Sequence, residues 1–151
     1  MLKHLKKIII HKWYVGIECF KKGLYWQGIT HDLSKFSPIE FLISIKYYTG
    51  KSSPLDEERK DKGSSLAWIN HKSKNKHHYH YWIDIHEGEC IPVEMPKKYL
   101  LEMVCDFIGA SKAYNNGSSP LEYWDKHINK KLIHPQTQKD FRELLIKDYN
   151  Y

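Results

Sequence analysis

The pattern Ser-Pro-x-Glu occurs twice, as Ser37-Pro38-Ile39-Glu40 and Ser119-Pro120-Leu121-Glu122. Each copy fixes where a helix must begin. Serine at the cap accepts a hydrogen bond from a free N–H of the first turn, and proline suits the first helical position because its missing N–H is not needed there. Glutamate three residues on can return to the cap nitrogen, which completes a capping box. The two boxes predict helices from Pro38 to about Tyr48, stopped by Gly50, and from Pro120 to about Asn129.

Apolar residues recur near a 3.6 period around these anchors. Leu5, Ile8, Ile9, Trp13, Gly16, Ile17 and Phe20 mark a first helix from about Leu2 to Lys22, with His11 close to the stripe. Gly23 breaks the pattern, and Leu24 to Leu33 forms a second, shorter helix. Helix returns from Leu66 to about Trp82. Lys97 to about Tyr114 follows, with Tyr99, Leu100, Met103, Val104, Phe107 and Ile108 inward and Asn115-Asn116-Gly117 at its end. A last helix, Gln136 to Asp148, packs through Phe141, Leu144 and Leu145. Residues 51–65, with Pro54 and Gly63, read as a connection carrying a helical turn around Leu55 to Lys60. Residues 83–96 read as a loop with a short extended piece. With no strand set and no internal repeat, the expected fold is all-α: a compact single-domain bundle of about six to seven helices over residues 1–151.

A chain of 151 residues can bury a real core in one domain. Its net charge is +6, from 22 lysines, two arginines and 18 acidic residues. The lysines are scattered, which reads as a solvated surface that permits an anionic partner without requiring one. Nucleic acid is therefore an open partner but not an indicated one. Cys19, Cys90 and Cys105 are an odd number at wide spacing with no C-x-x-C, so a disulfide framework is not expected and a reducing cytoplasm is. Cys19 and Cys105 fall inside apolar patterns and read as small buried hydrophobes. No window has the length of a membrane span or a signal-peptide core, so a soluble protein with no membrane partner is expected. The absence of a P-loop or glycine-rich phosphate cradle argues against a nucleotide-driven motor or kinase.

The chemistry centres on Thr30-His31-Asp32-Leu33-Ser34-Lys35-Phe36-Ser37. Neighbouring helical residues point about 100° apart, so His31 and Asp32 cannot line one face, but both can converge on an ion at a helix end. His11 before them, and His71, Asn75, His77, His78 and Asp106 after them, add N and O ligands suited to a divalent metal. In the 66–82 segment His71, Asn75 and His78 stand at i, i+4 and i+7 on one helical face, with His77 about 100° away. Trp68, Tyr81 and Trp82 bracket these residues and imply burial. Which of His77 and His78 turns inward stays open. Asp106 lies among Val104, Cys105 and Phe107, where a carboxylate needs either a cation or a lysine partner. Glu102, one turn earlier, reads as an acceptor behind the site or as a proton-handling group.

In that order, His … His-Asp … His … Asp, the chain resembles the HD-domain superfamily of metal-dependent phosphohydrolases. The segment from Trp68 through His71, Asn75, His77 and His78 to Trp82, with His-Asp-Leu-Ser-Lys-Phe upstream, is also similar to a family of small phage and bacterial proteins with no known activity. The broader resemblance implies that His31 and Asp32 form the metal-binding doublet, with Asp32 able to bridge two ions. Asp106 would close the site from a late helix, and His11 would open it, although a separation of twenty positions between His11 and His31 is short for the superfamily. His71 with His77 or His78 would supply the added histidines of two-metal members, and Lys35 would face substrate phosphate. One or two divalent ions (Mn, Mg, Zn, Co or Fe) would activate water against a small anionic substrate such as a nucleotide. Asp32 would orient that water, Glu102 or a non-ligating histidine would protonate the leaving oxygen, and Lys35 and Asn75 would contact substrate. Two other readings use the same residues differently: an HD-type di-iron oxygenase, and a non-enzymatic basic helical module binding nucleic acid or a host protein. The helices from Pro120 onward either complete the core or offer a homodimer surface.

Overall fold

The computed structural model describes residues 2–114 and 119–149. Among these residues the chain forms eight α-helices, three short 3-10 turns and one two-stranded hairpin, so the fold is all-α with a small β appendage. The helices are α1 (Leu2–Lys21), α2 (Tyr25–Thr30), α3 (Pro38–Lys46), α4 (Pro54–Lys62), α5 (Leu66–Lys74), α6 (Lys97–Tyr114), α7 (Pro120–His127) and α8 (Pro135–Tyr149). The end of α6 assigned to Asn115-Asn116-Gly117 lies outside the described residues. None of the helices described is long and apolar enough to cross a membrane.

Helix α6 is the spine. One side of it carries Leu100, Met103, Val104 and Ile108 into an apolar core with Trp124 of α7 and Phe141 and Leu145 of α8. The C-terminal helices thus complete the core. The other side packs on α1, where Val15, Cys19 and Cys105 form a small apolar plug. That approach is close. A Cβ at Gly109 would stand 2.5 Å from Val15 Cγ2 and 2.7 Å from the Val15 backbone nitrogen, so only glycine fits without moving α1.

Several expectations are corrected. In α1 the buried residues are His4, Ile8, His11, Val15, Glu18 and Cys19, while Ile9, Trp13, Ile17 and Phe20 are exposed. The buried side of this helix is largely polar, so apolar periodicity pointed to the wrong face. Residues 51–65 hold a full helix, α4, whose Asp56 and Glu57 lie in the first turn and whose Arg59, Lys60 and Lys62 lie in the last. That order of charge suits the helix dipole, and Gly63 ends the helix in the left-handed conformation at φ +75°. The helix expected from Leu66 to Trp82 ends at Lys74, because the Asn75 side chain donates to the His71 carbonyl at 2.7 Å and its backbone turns extended. Within 83–96, β1 (Ile83–His86) and β2 (Glu89–Pro92) pair antiparallel, with Ile83 opposite Pro92 and Ile85 opposite Cys90. Glu87 and Gly88 both have positive φ, the geometry of a tight hairpin turn.

Candidate metal centre

Between α1, α6 and the segments around α2 and α5 lies a core made of imidazoles and carboxylates. His11 comes from α1 and Asp106 from α6, while His31 and Asp32 come from the turn after α2. His71 sits on α5, with His77 and His78 in the stretch that follows it. Asp32 adopts the left-handed conformation at φ 54°, ψ 24°, directly after His31 leaves the helical region at φ −49°, ψ 125°. This break in the helix lets two adjacent side chains face the same point, and both are buried. Aspartate is among the few side chains that tolerate this backbone region.

Two groups of donors meet at Asp32. His11 Nε2 lies 3.5 Å from Asp32 Oδ2 and 3.1 Å from Asp106 Oδ1, and His31 Nε2 lies 3.5 Å from each of the same two oxygens. On the other side, His71 Nε2 and His77 Nε2 lie 3.3 and 3.4 Å from Asp32 Oδ1. His78 Nε2 comes within 2.8 Å of His71 Nε2. Donors bound to one ion at about 2.1 Å stand about 3.0 to 3.4 Å apart at octahedral to tetrahedral angles. The observed spacings fall close to that range for both groups, with one Asp32 oxygen in each.

Four of the donor atoms also lack a hydrogen-bond partner. His11 Nε2, His31 Nε2, His77 Nε2 and Asp32 Oδ1 are all buried with no hydrogen-bond partner. Leaving such atoms unsatisfied costs about 1–3 kcal/mol each, a cost that a shared cation removes. The residues present therefore fit one or two divalent ions, and Asp32-His71-His77-His78, His11-His31-Asp32 and His31-His77-Asp106 are each compact enough to hold one.

Carboxylates behind the imidazoles set their orientation. Glu102 Oε1 accepts from Nδ1 of both His31 and His77, each at 3.2 Å. Glu40 Oε2 accepts from His71 Nδ1 at 2.8 Å, and its other oxygen accepts from Asn70 Nδ2 at 2.6 Å. With Nδ1 donating outward, Nε2 of each ring is the atom left to face the centre. Trp68 packs against the rings of His71 and His78.

Charge inside the cluster is strongly coupled. Burial pushes the His31 pKa down, but Asp32, Asp106 and Glu102 together outweigh it and raise the imidazole to about 10. Burial pushes Asp32 up, yet His31, Lys35 and His71 hold its carboxyl well below the usual range. Asp106 behaves likewise beside His11 and His31. His78 is driven well below its ordinary value by burial first and then by the charges of His77 and His71, which favours the neutral ring. Lys35 is desolvated, but Asp32, 2.6 Å from its Nζ, raises its pKa and keeps it charged.

Lys35 also lines a cavity of about 460 Å³ that His71, Glu40, Lys7, Tyr48 and Tyr114 help enclose. A second hollow of about 340 Å³, lined by Tyr114 as well, touches Asp106. Residues 1–147 match the model of a family of unknown function, DUF5662. The chain belongs to that family. No curated protein and no solved structure matches it.

In this DUF5662 chain the structure brings His11, His31, Asp32, His71, His77, His78 and Asp106 to one centre, and both histidines of the 77–78 pair turn inward. Asn75 is a correction. Its amide donates to Ser34 Oγ and to the His71 carbonyl, both at 2.7 Å, so it ties α5 to the turn at Leu33–Phe36 and is not free for substrate. Glu102 stands behind two imidazoles, which fits the acceptor role and not that of an acid toward a leaving group. Glu40 was missed, because its place in a capping motif accounted for it locally. The outward signal was its spacing of 31 residues from His71, which only the fold converts into contact.

Proposed function

We propose that the chain is a metal-dependent phosphohydrolase acting on a small phosphorylated substrate, a nucleotide or a related compound. The observation that carries this reading is the convergence of buried, partnerless donor atoms beside a cavity lined by Lys7, Lys35 and Lys51. The sequence order His, His-Asp, His, Asp supports the same class by its resemblance to HD-domain enzymes. A set of five imidazoles favours Zn, Mn, Co or Fe over Mg.

When bound, a divalent ion supplies Lewis acidity and brings the pKa of water toward neutrality. The chain's own residues do the rest. Glu102 and Glu40 keep a proton on Nδ1 of His31, His77 and His71, which leaves Nε2 basic toward the centre. Asp32 offers one oxygen to each donor group and fixes the distance between them. Lys35, charged at neutral pH, faces the cavity where phosphoryl oxygens gain charge during attack and stabilises that charge. The wall formed by Tyr48 and Tyr114 limits the water around the reacting group.

The test is elemental analysis of protein purified without added metal, for wild type and Asp32→Ala, followed by phosphate release from nitrophenyl phosphates and a nucleotide panel. Near-stoichiometric metal in wild type, lost in the variant, with metal-dependent phosphate release is the expected result. Iron with oxygen consumption and no phosphate release would move the reading to an oxygenase. Protein that stays empty after dialysis against zinc, manganese and iron would sink it.

A further inference from the structure

Two apolar surfaces outside the candidate metal centre are left uncovered, and they complement each other. The first is the outer face of α1 and α2. Ile9, Trp13 and Phe20 lie on the side of α1 opposite its buried residues, and Tyr25, Trp26 and Ile29 continue the surface on α2. The two helices are joined along this face by the Phe20–Tyr25 ring contact at 5.4 Å and by Lys12 Nζ donating to the Ile29 carbonyl at 2.6 Å. Trp13 and Trp26 are each 69% exposed. The exposed parts of these six side chains come to on the order of 800 Å², the share one partner gives to a standard interface of about 1,600 Å². This part of the chain is basic: through Phe36 the only acidic residues are Glu18 and Asp32, and both are buried.

The second surface is the hairpin. Cross-strand pairing puts Ile83, Ile85, Cys90 and Pro92 on one side of it, and Ile85 is 71% exposed. The hairpin segment is acidic: residues 83–96 carry Asp84, Glu87, Glu89 and Glu94 and no lysine or arginine, with Asp84 and Glu89 on the face opposite the apolar one. A two-stranded hairpin with an uncovered apolar face is marginal in water on its own.

The geometry points to a closed two-fold dimer in which the acidic hairpin of each chain packs on the basic, aromatic α1–α2 face of the other. The hairpin root lies beside that face: Trp82 packs on Tyr99 at 5.7 Å, and Tyr99 lines the same hollow as Trp26. A two-fold axis near this hollow carries each hairpin across to the partner, so the exchange closes instead of growing into a filament. One contact then covers both surfaces, whereas an anionic lipid surface would cover only the helical one.

The experiment is sedimentation equilibrium on the full chain with two charge-reversed variants. One is Glu87→Lys with Glu89→Lys on the hairpin, and the other is Lys6→Glu with Lys98→Glu at the rim of the helical face. Wild type should sediment at twice the mass of one chain. Each variant alone should fall to one chain, because like charges then meet at both contacts, with helical circular dichroism and metal content retained. An equal mixture of the two variants should return to two chains, since every contact in the mixed pair joins opposite charges. Wild type at the mass of one chain throughout its soluble range overturns the dimer, as does a wild-type dimer that survives both reversals. Monomer that co-sediments with phosphatidylserine vesicles overturns it too and gives the face to lipid.

Discussion

Ser37-Pro38-Ile39-Glu40 and Ser119-Pro120-Leu121-Glu122 open their helices with the same four-residue pattern, and the two glutamates end in different places. At α7 both reciprocal bonds form: the Ser119 hydroxyl accepts from Glu122 N at 3.0 Å, and Glu122 Oε2 accepts from Ser119 N at 3.1 Å. At α3 only one half is present. Ser37 Oγ accepts from Glu40 N at 3.4 Å, while the Glu40 side chain turns inward to His71 and Asn70. The difference follows from surroundings. Glu122 faces water and has only its own helix end to bond, whereas Glu40 is buried beside an imidazole whose N–H has few other acceptors. A local motif fixes the start of a helix, and the neighbourhood decides where its longest side chain goes.

The contrast can be broken or sharpened by substitution, beginning with the largest effect. Glu102→Ala leaves two buried imidazole N–H groups without their acceptor, so metal affinity should fall by about 100-fold or more, read by competition with a chelating dye. Glu40→Ala frees one imidazole and should cost about 10- to 100-fold in the same titration. If Glu40→Ala binds metal like wild type, its departure from the capping box has no functional meaning.

Acidity gives an intermediate effect. With no ion bound, His31 is raised to about 10, so its contribution to stability is complete below its ordinary value of 6.5 and is lost as pH climbs through about 10. Asp32 is held low, so its contribution is present above its ordinary 3.8 and is lost as pH falls. Loading a metal must displace the His31 proton, and affinity should therefore rise about tenfold per pH unit between pH 7 and 9. Flat affinity across that window would mean that His31 Nε2 is not a ligand.

The smallest effects belong to the helix ends themselves. Ser119→Ala should lower stability by about 1 kcal/mol in chemical denaturation, with metal affinity unchanged. Glu122→Ala removes only the exposed return bond and should cost a few tenths of a kcal/mol, a size typical of surface changes. A metal defect in either variant would erase the distinction between the two ends.

Much of this arrangement was legible before any coordinates. Capping residues and apolar period gave the helical fold, and residue type gave His31, Asp32, His71 and Asp106 as members of one centre. What escaped depended on choices made outside each segment. Leu66–Trp82 carries helical spacing throughout, but Asn75 bonds back to the His71 carbonyl and stops the helix, so His71 and His78 meet by a turn and not along a face. In α1 the apolar period was real and faced outward, because His4, His11 and Glu18 occupy the interior side, where a polar core needs them. The 51–65 stretch has almost no apolar residues, and its helix rests on charge order and on Glu58, which accepts from Ser65 Oγ and Leu66 N at the start of α5.

Gly109 has a reach beyond packing. It sits three residues past Asp106, as Val15 sits four past His11, so the contact that forbids a Cβ lies one turn above the 3.1 Å approach of His11 Nε2 to Asp106 Oδ1. A single hydrogen atom in place of a methyl group therefore sets the gauge of the site. How closely the helices bearing His11 and Asp106 approach is thus set by a residue that carries no charge and contributes no donor atom.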